Sequence, residues 1–223
     1  MMNKEPLEIP ASERYIAAVR RWWRYLRTEP QGLMAGSLWF VLTALPIITY
    51  GLAWTALVYY MHQREQHTRV TWREACGYVW KGCGTRSLLM GGSDLLALLL
   101  AGGCVLGMTQ PELPMVMRLG YALFFMADVL YMLSALYRYP AMMLDTGISV
   151  PMAASRGVLM SVGAIGWTLM LCFVALSALL VCTATGVGLP MLYPAISALL
   201  AVCAYDEMAQ KFMDDQARNN EAD

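Results

Sequence analysis

Charge is what this sequence has least of. Only 14% of its 223 residues are Asp, Glu, Lys or Arg, against about a quarter in a soluble domain. The deficit is concentrated. Residues 31–61 hold no charged side chain, and residues 157–205 hold none over 49 positions. An uncharged apolar run beyond about 20 residues reads as membrane-spanning. Histidine is nearly absent, at two residues, and the six cysteines (Cys76, Cys83, Cys104, Cys172, Cys182, Cys203) form no CxxC pair. A disulfide framework is therefore not expected. His62 and His67 with Cys76 and Cys83 match no recurrent zinc spacing, so no metal is expected either. GxGxxG, the Walker lysine motif, HExxH and GxSxG are all missing. No catalytic residue and no cofactor can be named, and the chain does not read as an enzyme. Sixteen basic and sixteen acidic residues balance to zero, so nucleic acid is not an expected partner. No small-residue cleavage site follows a short apolar region, so no cleavable signal peptide is expected.

What is present is apolar. Hydrophobic residues make up 58% of the chain. Residues 87–108, 115–137 and 157–205 read as spans, the last divided by the glycines and proline of "TGVGLP" (185–190). "TQPELP" (109–114) reads as a short turn between antiparallel helices.

The distribution of Lys and Arg sets the orientation. Lys4, Arg14, Arg20, Arg21, Arg24 and Arg27 precede residue 31. Arg64, Arg69, Arg73, Lys81 and Arg86 fall in 62–86, Arg138 and Arg156 in 138–156, and Lys211 and Arg218 near the C-terminus. The turns at 109–114 and 185–190 carry none, with only Arg118 nearby. Basic residues favour the cytoplasmic side. The bare turns then face out, and both termini face in.

Residues 31–61 must accordingly cross an even number of times. Pro46 lacks the donor that helix continuation needs, and Gly51 tolerates angles other residues avoid. Pro46 and Gly51 therefore mark a helix-break turn between two arms of about 15 residues. Each arm is roughly 22 Å long, short of an apolar core of about 30 Å. Bilayer thinning, snorkelling by Arg27 and Arg64, or helix extension covers the gap. One long kinked helix or a re-entrant dip is the alternative. The expected fold is all-α, a polytopic membrane protein of about six transmembrane helices, or five, with short interfacial amphipathic helices. Residues 1–30 form a basic cytoplasmic segment, 31–208 one transmembrane domain and 209–223 a polar cytoplasmic tail.

Two polar stretches read as amphipathic helices. In "SERYIAAVRRWWRYLRT" (12–28), Ser12 is the expected N-cap. Tyr15, Ile16, Val19, Trp22, Trp23 and Leu26 recur at helical spacing among arginines, which suits the headgroup level. A topology anchor is the plain reading; lipid sensing or partner docking is the functional one. In "TWREACGYVWKG" (71–82), Thr71 and Glu74 make a capping box, Trp72, Ala75 and Val79 an apolar stripe, and Gly82 the end. Packing beneath the bundle is favoured over docking a soluble partner. Pro151 in "SVPMAASRG" (149–157) marks another helix start.

Asp94 and Asp128 are the intramembrane polar candidates. Asp128 falls near the middle of 115–137, where a lone acid costs about 2.5–3.5 kcal/mol to insert and often marks an ion or proton pathway. Asp94 lies at a similar depth in the preceding span. If the two share an environment, one carboxyl is held protonated. Hydrogen bonding of each to neighbouring helices is the structural alternative. "GLMAG" (32–36) and "GCVLG" (103–107) place small residues four apart, for close helix approach within the chain or between copies. The 18 methionines read as gap fillers.

Five segments, "LPIITYG", "LAWTALVYYMHQREQ", "TWREACGYVWKG", "YRYPAMMLDTGISVPMAASRG" and "TGVGLPMLYPAISALLAVCAYDE", occur in an order that resembles the YesL family of small bacterial integral membrane proteins. The likeness covers about residues 31–207. It implies a multi-pass protein of the bacterial cytoplasmic membrane. Because members are encoded beside carbohydrate ABC transporters, it also implies a role accessory to sugar uptake. Expected partners are the lipid bilayer, an ABC transporter permease or a second copy. The family has no established catalytic residues, and none are carried over. The competing expectation is an autonomous small transporter or channel with Asp128 in its pathway.

Overall fold

A computed structural model describes residues 11–222 apart from 146 and 187, with side chains from 16 to 210. Among these residues the chain is all helical: α1 (Ala11–Thr28), α2 (Pro30–Ala44), a 3-10 turn (Ile47–Thr49), α3 (Tyr50–Glu65), α4 (Trp72–Thr109), α5 (Met115–Leu133), α6 (Ala135–Leu144), α7 (Val150–Gly163), α8 (Ile165–Ala184), α9 (Gly188–Met191) and α10 (Tyr193–Ala222). Three of them, α4, α5 and α8, are long and apolar enough to cross a membrane. Helix α1 begins one residue before the expected cap, Ser12. That side chain lies outside the described residues, as do those of Lys4, Arg14, Tyr15, Lys211 and Arg218.

The bundle is organised around α10. From Ala195 to Tyr205 every side chain is buried, and α1, α2, α3, α6, α8 and α9 pack around it. A helix apolar on all sides must be enclosed by protein or by lipid, and this stretch is enclosed by protein. Its small residues, Ala195, Ala198, Ala201 and Ala204, let neighbouring backbones approach. By contrast α5 buries no residue, and Leu119, Leu123, Phe124 and Met126 stand open with Leu98, Leu99 and Leu106 of α4 and Phe173 and Leu180 of α8. That continuous apolar exterior is far beyond what a water-facing monomer shows.

The break expected at 46–51 is present. Pro46 is extended (φ −75°, ψ 108°), and the Thr49 N–H donates to the Pro46 carbonyl at 2.8 Å, closing the turn. Helices α2 and α3 then pack side by side. Gly51 plays a different part from the one expected. It is helical, inside α3, with no unusual backbone angle. A Cβ there would meet the Ser87 carbonyl oxygen at 2.1 Å and the Gly91 Cα at 2.7 Å. Gly51 and Gly91 are the crossing point of α3 and α4, where two backbones touch. Gly36 of α2 serves the α2–α3 contact instead: it admits Met61, Tyr60 and Leu57 of α3. In "GCVLG", Gly107 receives the Tyr121 ring of α5 while Gly103 faces open space.

Three boundaries fall elsewhere than expected. The helix starting at Trp72 does not stop at Gly82. It kinks at Cys83 (φ −145°, ψ 22°) and runs on into the apolar length of α4. Arg86 bridges this kink, donating to the carbonyls of Gly82 and, at 2.7 Å, Ile148. The apolar stretch 115–137 divides at Ser134 into α5 and α6. The one from 157 divides at Ala164 (φ −136°, ψ 45°) into α7 and α8. Apolar composition is blind to such breaks, because neither contains a proline or a charge.

Other local expectations hold. Both halves of the Thr71–Glu74 capping box form, and Trp72, Ala75 and Val79 are buried against α3, where Tyr59 and Tyr78 stack at 4.3 Å. Pro151 occupies the first turn of α7. The turn between α4 and α5 is secured by Arg118, which donates to the carbonyls of Leu113 (3.0 Å) and Pro111 (3.1 Å). Gly186 supplies the positive φ (65°) after α8. All six cysteines are free.

Candidate functional site

The strongest polar constellation lies where α4, α5 and α6 meet. Ser134 closes α5, and α6 begins directly after it and carries Arg138 into the bundle. Arg138 is fully buried. Its Nη2 donates to Asp94 Oδ1 of α4. Its Nη1 donates to the Tyr131 carbonyl at 2.9 Å and to Ser134 Oγ at 3.3 Å. The guanidinium lies over the Tyr131 ring at 3.9 Å. Only Nε has no partner.

Asp94 is equally occupied. It is 7% exposed. Besides Arg138, its Oδ2 accepts from the Tyr139 hydroxyl and its Oδ1 from the Tyr131 hydroxyl, a longer contact of 3.5 Å. Tyr131 in turn lies 2.7 Å from Ser93 Oγ. A single charge-assisted bond from a guanidinium to a carboxylate is stronger than a neutral one, and in a low-dielectric interior each charge needs the other. Gly157 of α7 completes the enclosure: a Cβ there would stand 3.0 Å from Arg138 Cβ and from the Ser134 carbonyl. Trp54 meets Tyr139 edge-on at 6.3 Å and joins Tyr50 and Phe40 beside the α2–α3 turn. Thus the Pro46 turn and the ion pair share one aromatic wall.

This arrangement corrects two expectations. Arg138 is not a loop charge fixing the orientation of 138–156; of that pair only Arg156 is exposed enough to do so, and it pairs with Asp145 at 3.2 Å. Asp94 does not share its site with Asp128. Its partners are Arg138, Tyr139 and Tyr131. Asp128 sits about one turn away from Tyr131 on α5, half-buried, with Oδ2 shielded and without a partner. The residue overlooked from sequence was therefore Arg138. The signal was a lone arginine in "YRYP", flanked by tyrosines and set directly after an apolar run, opposite a lone aspartate in the run before.

Chemically the constellation is a clasp. Both carboxylate oxygens of Asp94 are already engaged, Oδ1 by Arg138 and Oδ2 by the Tyr139 hydroxyl. Among the described residues no three His, Cys, Asp or Glu side chains converge as metal ligands would. No family model, curated protein or solved structure matches the chain.

Proposed function

We propose that this chain is a non-enzymatic accessory or regulatory component of a membrane transport system, in the bacterial cytoplasmic membrane. By its resemblance to the YesL family the system is one of carbohydrate uptake. Six crossings, with both termini cytoplasmic, are formed by α2, α3, α4, α5 with α6, α7 with α8, and α10. The observation that carries the reading is the clasp. Asp94 and Arg138 are spent on each other, so the bundle is braced where α4 and α6 meet, and the surface left for work is the apolar exterior. The test is isolation from native membranes in mild detergent. A stoichiometric ABC permease in the purified material is the expected result. Substrate flux in liposomes holding only this chain would overturn it.

One observation favours a second reading, an autonomous transporter or channel. Asp128 keeps a shielded carboxylate oxygen without a partner, as a site awaiting a proton or cation would. In that case the liposome flux is pH-dependent and Asp128→Asn abolishes it.

A further inference from the structure

Helix α1 has two faces with different fates. The inner face is fixed to the bundle at two levels. Arg21 donates to Glu65 at the end of α3 and to Asp206 of α10 at 2.8 Å, with Glu207 at 4.0 Å. Trp22 Nε1 donates to the Ile196 carbonyl of α10 at 3.1 Å. Ala18, Trp22 and Tyr25 are buried along the same inner face. The two attachment points are about ten residues apart on α10, roughly 15 Å, so the position and roll of α1 are both set.

The outer face is thereby aimed away from the bundle. Ile16, Arg20, Trp23, Arg24 and Arg27 are all exposed, on one side of the helix at spacings of four, three, one and three. Arg27 lies over the Trp23 ring at 4.9 Å. The nearby acids are already engaged: Glu65 and Asp206 with Arg21, and Glu29 with Arg64 at 3.8 Å. Among the described residues none of the three outward arginines has a carboxylate partner. Helix α2 follows after Glu29 alone, and its exposed stripe of Met34, Leu38, Trp39 and Leu42 continues from the same junction. Lipids whose tails lie along α2 would have their headgroups beside α1.

We propose that the outward face of α1 binds anionic phospholipid headgroups at the cytoplasmic surface; this rests on the membrane placement given above. Guanidinium groups match phosphate oxygens in a way that lysine does not, and Arg with Trp suits the headgroup layer. Pre-fixing by Arg21 and Trp22 removes the ordering that a free basic peptide must undergo on binding.

The full chain is reconstituted into phosphatidylcholine vesicles doped with phosphatidylglycerol, and the lipids it retains are compared by native mass spectrometry. Enrichment of phosphatidylglycerol is expected for the natural protein. In R20Q/R24Q/R27Q it falls about fivefold per arginine, on the order of a hundredfold in all. Salt weakens it. R69Q/R73Q/K81Q removes the same charge from the α3–α4 connection and the start of α4, and keeps most of the enrichment. Equal enrichment in all three proteins would overturn the proposal, as it would if the face received an acidic protein instead. Equal losses in the two variants would overturn it too. Failure of the natural chain to float with the vesicles would overturn the membrane placement itself, and this proposal with it.

Discussion

Asp94 and Arg138 should behave as a single unit when either is removed. Asp94→Ala leaves a fully buried guanidinium holding only the Tyr131 carbonyl and Ser134 Oγ. Arginine cannot shed its proton, so the charge stays. Breaking a buried pair in this way costs about 3–5 kcal/mol. Arg138→Met costs less, about 2–3 kcal/mol, because Asp94 keeps two tyrosine hydroxyls and can become neutral by taking up a proton. The double variant leaves no buried charge. It should be more stable than Asp94→Ala alone, with a coupling of about 2 kcal/mol between the sites. Unfolding of the four proteins in mixed micelles with increasing denaturing detergent measures this cycle. Additivity of the two single changes within about 0.5 kcal/mol would refute the pairing and with it the view of this site as a clasp.

Other consequences are as direct. Gly91→Ala places a Cβ 2.5 Å from the Gly51 backbone and should destabilise by about 1–3 kcal/mol or more. The adjacent Gly92→Ala meets nothing within 4 Å and should stabilise by up to about 1 kcal/mol in the same assay. Glu74 is held below the ordinary glutamate range by hydrogen bonds from Thr71, chiefly its backbone N–H. Its support of the α4 start is complete above that ordinary range and is lost as pH falls through the depressed value. Amide exchange at Trp72–Ala75 should quicken over that interval, and Glu74→Gln, which has no titrating carboxyl, should remove the pH dependence. A cysteine replacing Thr49 in a background without the native cysteines should react with an impermeant thiol reagent applied from outside. Labelling from the cytoplasmic side only would reject the hairpin orientation.

The parts of this fold that were legible in the sequence are those written in backbone chemistry. Pro46 lacks a donor wherever it stands, so the break between α2 and α3 could be read directly. Thr71 with Glu74 and Pro151 are equally local. What escaped is non-local. Glycine's backbone freedom makes Gly51 look like part of a turn; its neighbour in space, Gly91, makes it a close crossing instead. Arg138 follows an apolar run in sequence, whereas its environment is set by Asp94 of a distant helix and by Tyr131 two turns back. Asp94 and Asp128 were paired by depth. Depth fixes height in a helix and leaves rotation free, and rotation is what gave Asp94 its arginine. Likewise Trp22 and Trp23 could not be separated by hydropathy, though one is buried against α10 and the other is not.

The central place of α10 has a bearing on how the molecule is made. Every helix that touches it, α1, α2, α3, α6, α8 and α9, precedes it in the chain. During synthesis these helices can pair with one another but lack the helix on which most of them converge, and Arg21 waits for Asp206 across most of the polypeptide. Assembly is therefore gated by the arrival of residues 193–208. Until then the early helices are partners without a centre, dependent on lipid or on the insertion machinery. A chain halted before that point should be a substrate for membrane quality control, however complete its earlier spans.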